Sequence, residues 1–544
     1  MKRIVSLLLT VILALSLAAC GKGGGEPTPP PSMPVASAVP TYNPLQEGPG
    51  ASAEQEEGQP KYGGIVKLIE TQDTSAPFGV TCEPIVAVGF NYVWSENLLN
   101  FTQDGVYEPW LAEDWTVDTD AKTITFYLRK GVKFTDGSDF NAEAVAWNVN
   151  FLWPEFNRTN EDIDYAEAID EYTVVIHYKT WQNVLLETFA SHSYSMVSKE
   201  NYEKNGKEYA RQNPVGTGPF VLSEWKPGEH IKFVRNENYW QEGKPYLDGV
   251  EYYEITDVMT QNAAMESTGD DGIDMYMCND AEQAWTLISR GVPFDYSHVR
   301  SSGTITLAPS SVDENSPFYD LKVRQALAYA IDRDSICEAT GFGFRDPANQ
   351  LHPPGYAGRL PDDNPYLIKY DPEKSKALLA EAGYPDGFDT TLYTQVANQN
   401  VAVILQDQLA KVGIRCKLET PESGAFVELY NGGWDGLILF NFGQIINTGI
   451  SYYIWYHPDV TSYVSVMRPP EYEEMYYEAR RSFNIENELF GALGEMVLKY
   501  MVLVPVLHTN TVFFRRLGLE DTGYGYYSAD TIWLPSDAWW SEGG

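Results

Sequence analysis

Positive charge is scarce in this chain. Its 38 Lys and Arg stand against 76 Asp and Glu, a formal net charge of −38 at pH 7 over 544 residues. Phosphate backbones are gripped by clusters of Lys and Arg, so no nucleic-acid partner is expected, nor broad contact with anionic lipid. Histidine is thin as well. His177, His192, His230, His298, His352, His457 and His508 stand singly, with no pair at i, i+4. Cysteine is limited to Cys20, Cys82, Cys278, Cys337 and Cys416, and no two sit at C-x-x-C spacing. No metal and no cofactor are therefore expected. Beyond Cys20, one disulfide and four free buried thiols fit the spacing equally well, since a core of this size makes disulfides optional. Catalytic signatures are missing too: there is no G-x-S-x-G, no H-E-x-x-H and no Gly-rich phosphate loop. Asp270, Asp271 and Asp274 in "MESTGDDGID" offer carboxylates for acid–base work, so a secreted hydrolase is an alternative, but a non-enzyme is expected.

Long apolar runs are also absent after the N-terminus, where no run reaches 18 residues, so no second span is expected. The N-terminus itself is different. Lys2 and Arg3 precede an apolar stretch, Ile4 to Ala19, which is short for a bilayer span and shaped like a secretory signal. It ends in "LAAC", similar to the bacterial lipobox, in which the cysteine is diacylated and becomes the new N-terminus. This implies a signal peptide over 1–19, lipidation at Cys20, and a chain held outside the cell membrane. Losing Lys2 and Arg3 takes the formal charge from −38 to −40. Residues 21–60 hold nine Pro and seven Gly with a single aromatic, Tyr42. Such a segment cannot bury a core, and reads as a disordered tether reaching roughly 35 Å.

The remaining body, from about residue 61, alternates two kinds of pattern. "KTITFYLRKGVKF" sets Ile124, Phe126 and Leu128 at period two, a half-buried strand. "YTVVIHY" (Tyr172–Tyr178) and "HIKFVRN" (His230–Asn236) read likewise. "AEAVAWNVNFLW" (Ala142–Trp153) predicts a helix with Val145 and Val149 in its buried stripe. After about residue 315 helices and strands alternate. "DLKVRQALAYAIDRDSI" places Val323, Ala326, Leu327, Ala330 and Ile331 on one face of an amphipathic helix. "DPEKSKALLAEAG" carries Asp371 as N-cap, Pro372 at the first turn and Gly383 past the end. "NVAVILQDQLAKVG" predicts a helix stopped by Gly413, followed by the strand "IRCKL". The order argues for a mixed α/β architecture.

Several blocks resemble, in order and spacing, the family 5 extracellular solute-binding proteins, the oligopeptide, dipeptide and nickel receptors of ABC importers. The blocks are "YGGIVKL" (Tyr62–Leu68); Glu108–Asn148, with P-x-L-A-x-x-W and F-x-L-R-x-G-V-x-F-x-D-G; Asn213–Trp240, with P-V-G-T-G-P-F/Y and R-N-x-x-Y-W; Val323–Ile336, the R-x-A-I/L-x-x-A-I-D/N-R block; and "YDPEKSKALLAEAGY" (Tyr370–Tyr384). The resemblance implies a two-lobed, hinged, periplasmic-binding-protein-like α/β fold. Lobe I would hold 61–310 with an extra subdomain at about 95–215. Lobe II would hold 311–505, and 506–544 would return to lobe I. It also implies a monomer that captures a peptide or peptide-like solute and delivers it to ABC permease subunits.

The resemblance also places a candidate site. "NGGWDGLILFNFG" (Asn431–Gly443) matches a lobe II strand reading F/Y-D-x-x-x-x-G-W, so Asp435 would be a buried carboxylate paired with a ligand ammonium. The alternative is a structural Asp held by backbone amides or an arginine. Trp434 precedes it, and Asn441 and Phe442 follow where the family's G-W is replaced. That replacement leaves amino-acid derivatives, opines and glycan fragments open as ligands beside peptides, and a metal chelate remains a further alternative. Tyr92 and Trp94 lie where lobe I approaches the cleft and would offer aromatic platforms, although aromatic residues also fill cores. "GTGPF" (Gly216–Phe220) reads as a tight structural turn, and "MESTGDDGID" matches the family's G-x-I/V-D turn, which implies a surface position for Asp270, Asp271 and Asp274.

Overall fold

A computed structural model describes residues 59–71, 90–101, 106–156, 160, 162–269, 271–354, 358–443, 462–482, 488–520, 522–523, 533 and 535–541. The signal-like stretch, Cys20, the tether up to residue 58, Cys82, Asp270 and His457 lie outside them.

The alternating segments become strands where expected. Thr123–Leu128 buries Ile124, Phe126 and Leu128 and turns Tyr127 outward. It pairs antiparallel with Ala112–Asp118 and Thr173–Tyr178, and Ile163–Ala168 completes a four-stranded sheet. The helix over Ala142–Trp153 departs from its expected form. An α-turn, Ala142–Trp147, widens into a π-turn over Asn148–Leu152. Asn148 is fully buried there, and its amide bonds Ala144 O at 2.9 Å and both backbone groups of Val197. A side chain committed to a neighbouring segment in this way is a recognised cause of a local break in helical register.

The Asp320–Ile336 region is likewise two helices, not one. Leu321–Tyr329 ends at Ala330, and Asp332 caps a second helix, Arg333–Thr340, by accepting from Ser335 N. All five expected core residues are buried. The two arginines of this block are structural. Arg324 donates to the carbonyls of Phe318, Tyr319 and Tyr500. Arg333 donates to those of Ala348 and Pro505, and burial pulls its pKa down to about 10. Pro372–Glu381 starts on Asp371, whose carboxylate accepts from Lys374 N. Gly383 and Gly413 take the left-handed φ that stops their helices.

Among the described residues, the principal sheet has 11 strands. From one edge its order is Ile414–Glu419, Phe388–Thr394, Leu437–Gly443, Phe294–Pro309, Val504–Arg516, Met275–Cys278, Ile65–Glu70, Gly249–Glu254, His230–Arg235 and Phe220–Lys226, with Arg345–Pro347 attached to Val504–Arg516. Phe294–Pro309 and Val504–Arg516 are long, and each runs through both halves of the sheet. Their pairing slips between Val299 and Gly303 and again between Ile305 and Thr306. Separate apolar clusters lie on either side of that slip. One unites the four-stranded sheet with the Ile65–Glu70 side. Two others sandwich Leu437–Gly443, with Leu437 and Leu439 facing one and Ile438, Phe440 and Phe442 facing the other. Apolar clusters on either side of two crossing strands form a two-lobed α/β fold.

Cys278, Cys337 and Cys416 are free buried thiols, each pushed up to about 12 by burial. Among the described residues, no helix is long and apolar enough to cross a membrane.

Candidate ligand cleft

In open α/β sheets, ligands settle in the crevice beyond the carboxyl ends of the strands. Leu437–Gly443 runs antiparallel to Phe294–Pro309, from Leu437 opposite Pro309 to Gly443 opposite Gly303. Its carboxyl end therefore reaches the crossing. Phe388–Thr394 runs parallel to it. From the other lobe, Met275–Cys278 ends at the same place, with Cys278 opposite Val512. Residues 72–89 and 444–461, beyond the strand ends at Glu70 and Gly443, lie outside the described residues.

The floor at the crossing is polar. Along the strand, the inward column Leu437, Leu439 gives way to Asn441, which is exposed. Asn441 lies over Gly303, where a Cβ would meet its amide. Beside it, Thr509 donates its hydroxyl to Gly303 O at 3.1 Å. The Asn510 amide lies 3.3 Å from Asp346 Oδ2, and Thr511 donates to Asn279 Oδ1 at 2.7 Å. Just behind, Thr304 donates to Leu351 O at 2.7 Å. Its single hydroxyl proton is thereby used, so the 2.9 Å contact to His508 Nδ1 makes that nitrogen the donor. Burial, with Arg359 and His352 nearby, pulls the His508 pKa to about 3, and the imidazole is neutral.

The expected site residues do not converge. Asp435 is exposed, not buried; it lies in a bend before the strand, which begins at Leu437 and not at Trp434. The expectation of a buried charge at this position is corrected: the carboxylate is solvated at the end of the strand remote from the crossing. Six residues of extended chain separate it from Asn441, on the order of 15 Å or more. Trp434 is buried in the lobe II core and donates to Ala308 O at 3.3 Å. Phe442 is fully buried on the face opposite Asn441. In the other lobe, Trp94 is buried in the core, its backbone against Gly216 and Gly218. Tyr92 is half-buried and lines a cavity of about 20 Å³ with Glu96, Trp110 and Tyr239, room for about one water. Glu96 accepts from Trp110 at 2.9 Å, Tyr239 at 2.7 Å and Trp240 at 2.8 Å. Burial raises its pKa against the pull of those donors.

Asp274, read as a surface residue, is a buried ion-pair partner. It bonds Arg516 Nε at 2.8 Å and accepts from Lys67 N at 2.9 Å. Its carboxylate is occupied in holding the lobe I sheet together. Among the described residues, no group of three or more His, Cys, Asp or Glu is placed to hold a metal ion. Thr509, Asn510 and Thr511 escaped the reading of the sequence. The signal was present in "VPVLHTNTVFF", four polar residues interrupting an otherwise apolar strand.

A family model described as bacterial extracellular solute-binding proteins, family 5 middle, matches residues 106–463. The glutathione-binding protein GsiB of Salmonella choleraesuis is 34% identical over 365 residues, 65% of this chain and 69% of that protein. The periplasmic binding protein DppA of Helicobacter pylori, solved with the peptide STSA, superposes with a TM-score of 0.71 at 23% identity, over 89% of this chain and 99% of that one. AgaA from A. tumefaciens R10, solved with agropinic acid, gives 0.69 at 24% identity, over 87% and 98%.

Proposed function

This chain belongs to the bacterial extracellular solute-binding proteins of family 5, and we propose that it captures a short peptide or peptide-like solute at the strand crossing and delivers it to a permease. Membership makes it a substrate-binding protein of the ABC-importer type, a binding protein that works outside the cytoplasm. The lobes in this reading divide at Gly303 and Thr509–Thr511, and Cys20 carries the lipid that keeps the body near the membrane.

The observation that carries the ligand class is the polar floor, built mainly of amides and hydroxyls with the Asp346 carboxylate behind Asn510. Asn441, Thr509, Asn510 and Asn279 supply amides and hydroxyls, which both donate and accept, as the N–H and C=O groups of a peptide require. Asn441 is the direct contact in this reading. Phe442, Trp434 and Trp94 act by packing behind the walls, Tyr92 borders the small cavity, and Asp435 is a solvated carboxylate away from the solute. The relatives named for glutathione, a tripeptide, support a ligand of that size.

A thermal-shift panel of glutathione, dipeptides, longer peptides, opines and oligosaccharides tests this. A solute that binds only the folded chain raises the apparent stability by RT ln(1 + [L]/Kd). Peptides are expected to shift the midpoint. A shift with opines or oligosaccharides alone would replace the peptide reading, and sustained turnover of any of these compounds would replace the receptor reading.

A further inference from the structure

Asn183 belongs to the lobe I core region: it sits between Trp181 and Leu185, which are both in that cluster. Its hydrogen bonds go elsewhere. Its backbone N–H donates to Arg480 O at 2.7 Å, and its side-chain Nδ2 donates to Ala479 O at 3.0 Å. Ala479 and Arg480 close the helix Tyr472–Arg481, whose Tyr472, Tyr476 and Ala479 belong to the lobe II core. The contact is dry: Asn183 and Arg480 are each 1% exposed.

The last four carbonyls of a helix have no intrahelical partner, and they carry the negative end of its dipole. Here Asn183 of the opposite lobe gives a donor to the Arg480 carbonyl and a second donor to the Ala479 carbonyl, which also accepts from Ser482 N at 3.3 Å. The Asn183 amide is oriented by its target, since a carbonyl can only accept. Neither partner lies on the crossing strands Phe294–Pro309 and Val504–Arg516. A rotation about those strands that opens the cleft therefore parts the two residues. A second contact between the halves, the Trp285–Phe342 ring pair at 5.8 Å, is different. Phe342 leads directly into Arg345–Pro347, which is itself paired with Val504–Arg516, so that contact sits beside the hinge. The Asn183 contact lies away from the hinge, and opening breaks it.

We propose that Asn183 is an interlobe clasp, a positioning residue that caps the C-terminus of helix Tyr472–Arg481 from across the cleft and holds the two lobes closed. Its effect on affinity is indirect. It raises the population of the closed arrangement, and the apparent affinity scales with that population. The clasp rests on the receptor reading above only for its purpose, because the contact itself requires no ligand.

The test measures the distance between lobes in the ligand-free chain, unfolded and refolded to strip any bound solute. Spin labels are placed by Lys204→Cys and Glu474→Cys, exposed positions on helices of opposite lobes. Cys20 and Cys82 are replaced by serine; Cys278, Cys337 and Cys416 are buried and stay unlabelled. With Asn183 intact, the distance is expected to cluster at the closed value. Asn183→Ala removes one neutral hydrogen bond and is expected to lower the closed-to-open ratio about fivefold. Asn183→Asp sets a carboxylate against the helix carbonyls and is expected to lower it further. A parent chain that is already open, or distances unmoved by both variants, overturns the clasp. Lower thermal stability with unchanged distances overturns it as well, since that is the mark of a purely structural residue. A failed ligand screen would instead sink the receptor reading and leave these distances meaningful.

Discussion

Gly218 and Trp94 meet main chain to main chain. Gly218 N donates to Trp94 O at 3.0 Å, and a Cβ at Gly218 would lie 2.8 Å from Trp94 Cα and closer still to the Trp94 carbonyl carbon. The "GTGPF" turn is thus a packing device, and the absent side chain is its working feature. Gly218→Ala is expected to destabilise the chain by about 3 kcal/mol, because the obstacle is backbone, which yields little. Urea unfolding followed by tryptophan fluorescence reads this; a midpoint within error of the parent would refute the close approach.

His508 makes stability depend on pH. Its folded pKa, about 3, lies below the ordinary 6.5. Above pH 6.5 both states are neutral at this position and the full stability is present. As pH falls, the unfolded imidazole takes a proton that the folded one refuses, and stability is lost down to about pH 3. The loss amounts to about 2 kcal/mol at pH 5. His508→Asn is expected to flatten that part of the profile, whatever it does to stability at neutral pH. Parallel pH profiles for parent and variant would show that His508 is not the group responsible.

Asn441 and Asp435 are expected to behave differently. Asn441→Ala removes a direct contact and is expected to weaken a bound peptide about tenfold. Asp435→Ala, at an exposed position remote from the crossing, is expected to leave the affinity within a factor of two. Calorimetry with a peptide that scores in the thermal-shift panel decides between them, and a larger effect at Asp435 would restore it as the ammonium anchor.

Cys20→Ser is expected to move the protein from the membrane fraction to the soluble one, since a diacylated cysteine is the proposed anchor. Continued sedimentation with membranes would point to an uncleaved apolar segment, Ile4 to Ala19, as the attachment.

Much of this protein is determined within short windows of sequence. The alternation of Ile124, Phe126 and Leu128 and the cap, proline and glycine around Pro372–Glu381 each encode local structure through nearest neighbours. The ordered family blocks carried the two-lobed fold. What sequence patterns left open depends on residues far apart in the chain. The apolar residues after Asp435 predict a buried charge; only the tertiary structure, with the strand starting at Leu437, sets it in water. The break before Asp332 and the π-turn at Asn148 arise where side chains are claimed by distant backbone, which no helical period records. The cleft floor needed Gly303, Asn441 and Thr509 to meet across three strands, and the clasp needed Asn183 and Arg480 to meet across two lobes. Local periodicity selects which face of an element is apolar. Tertiary packing alone decides which polar residues end up facing one another.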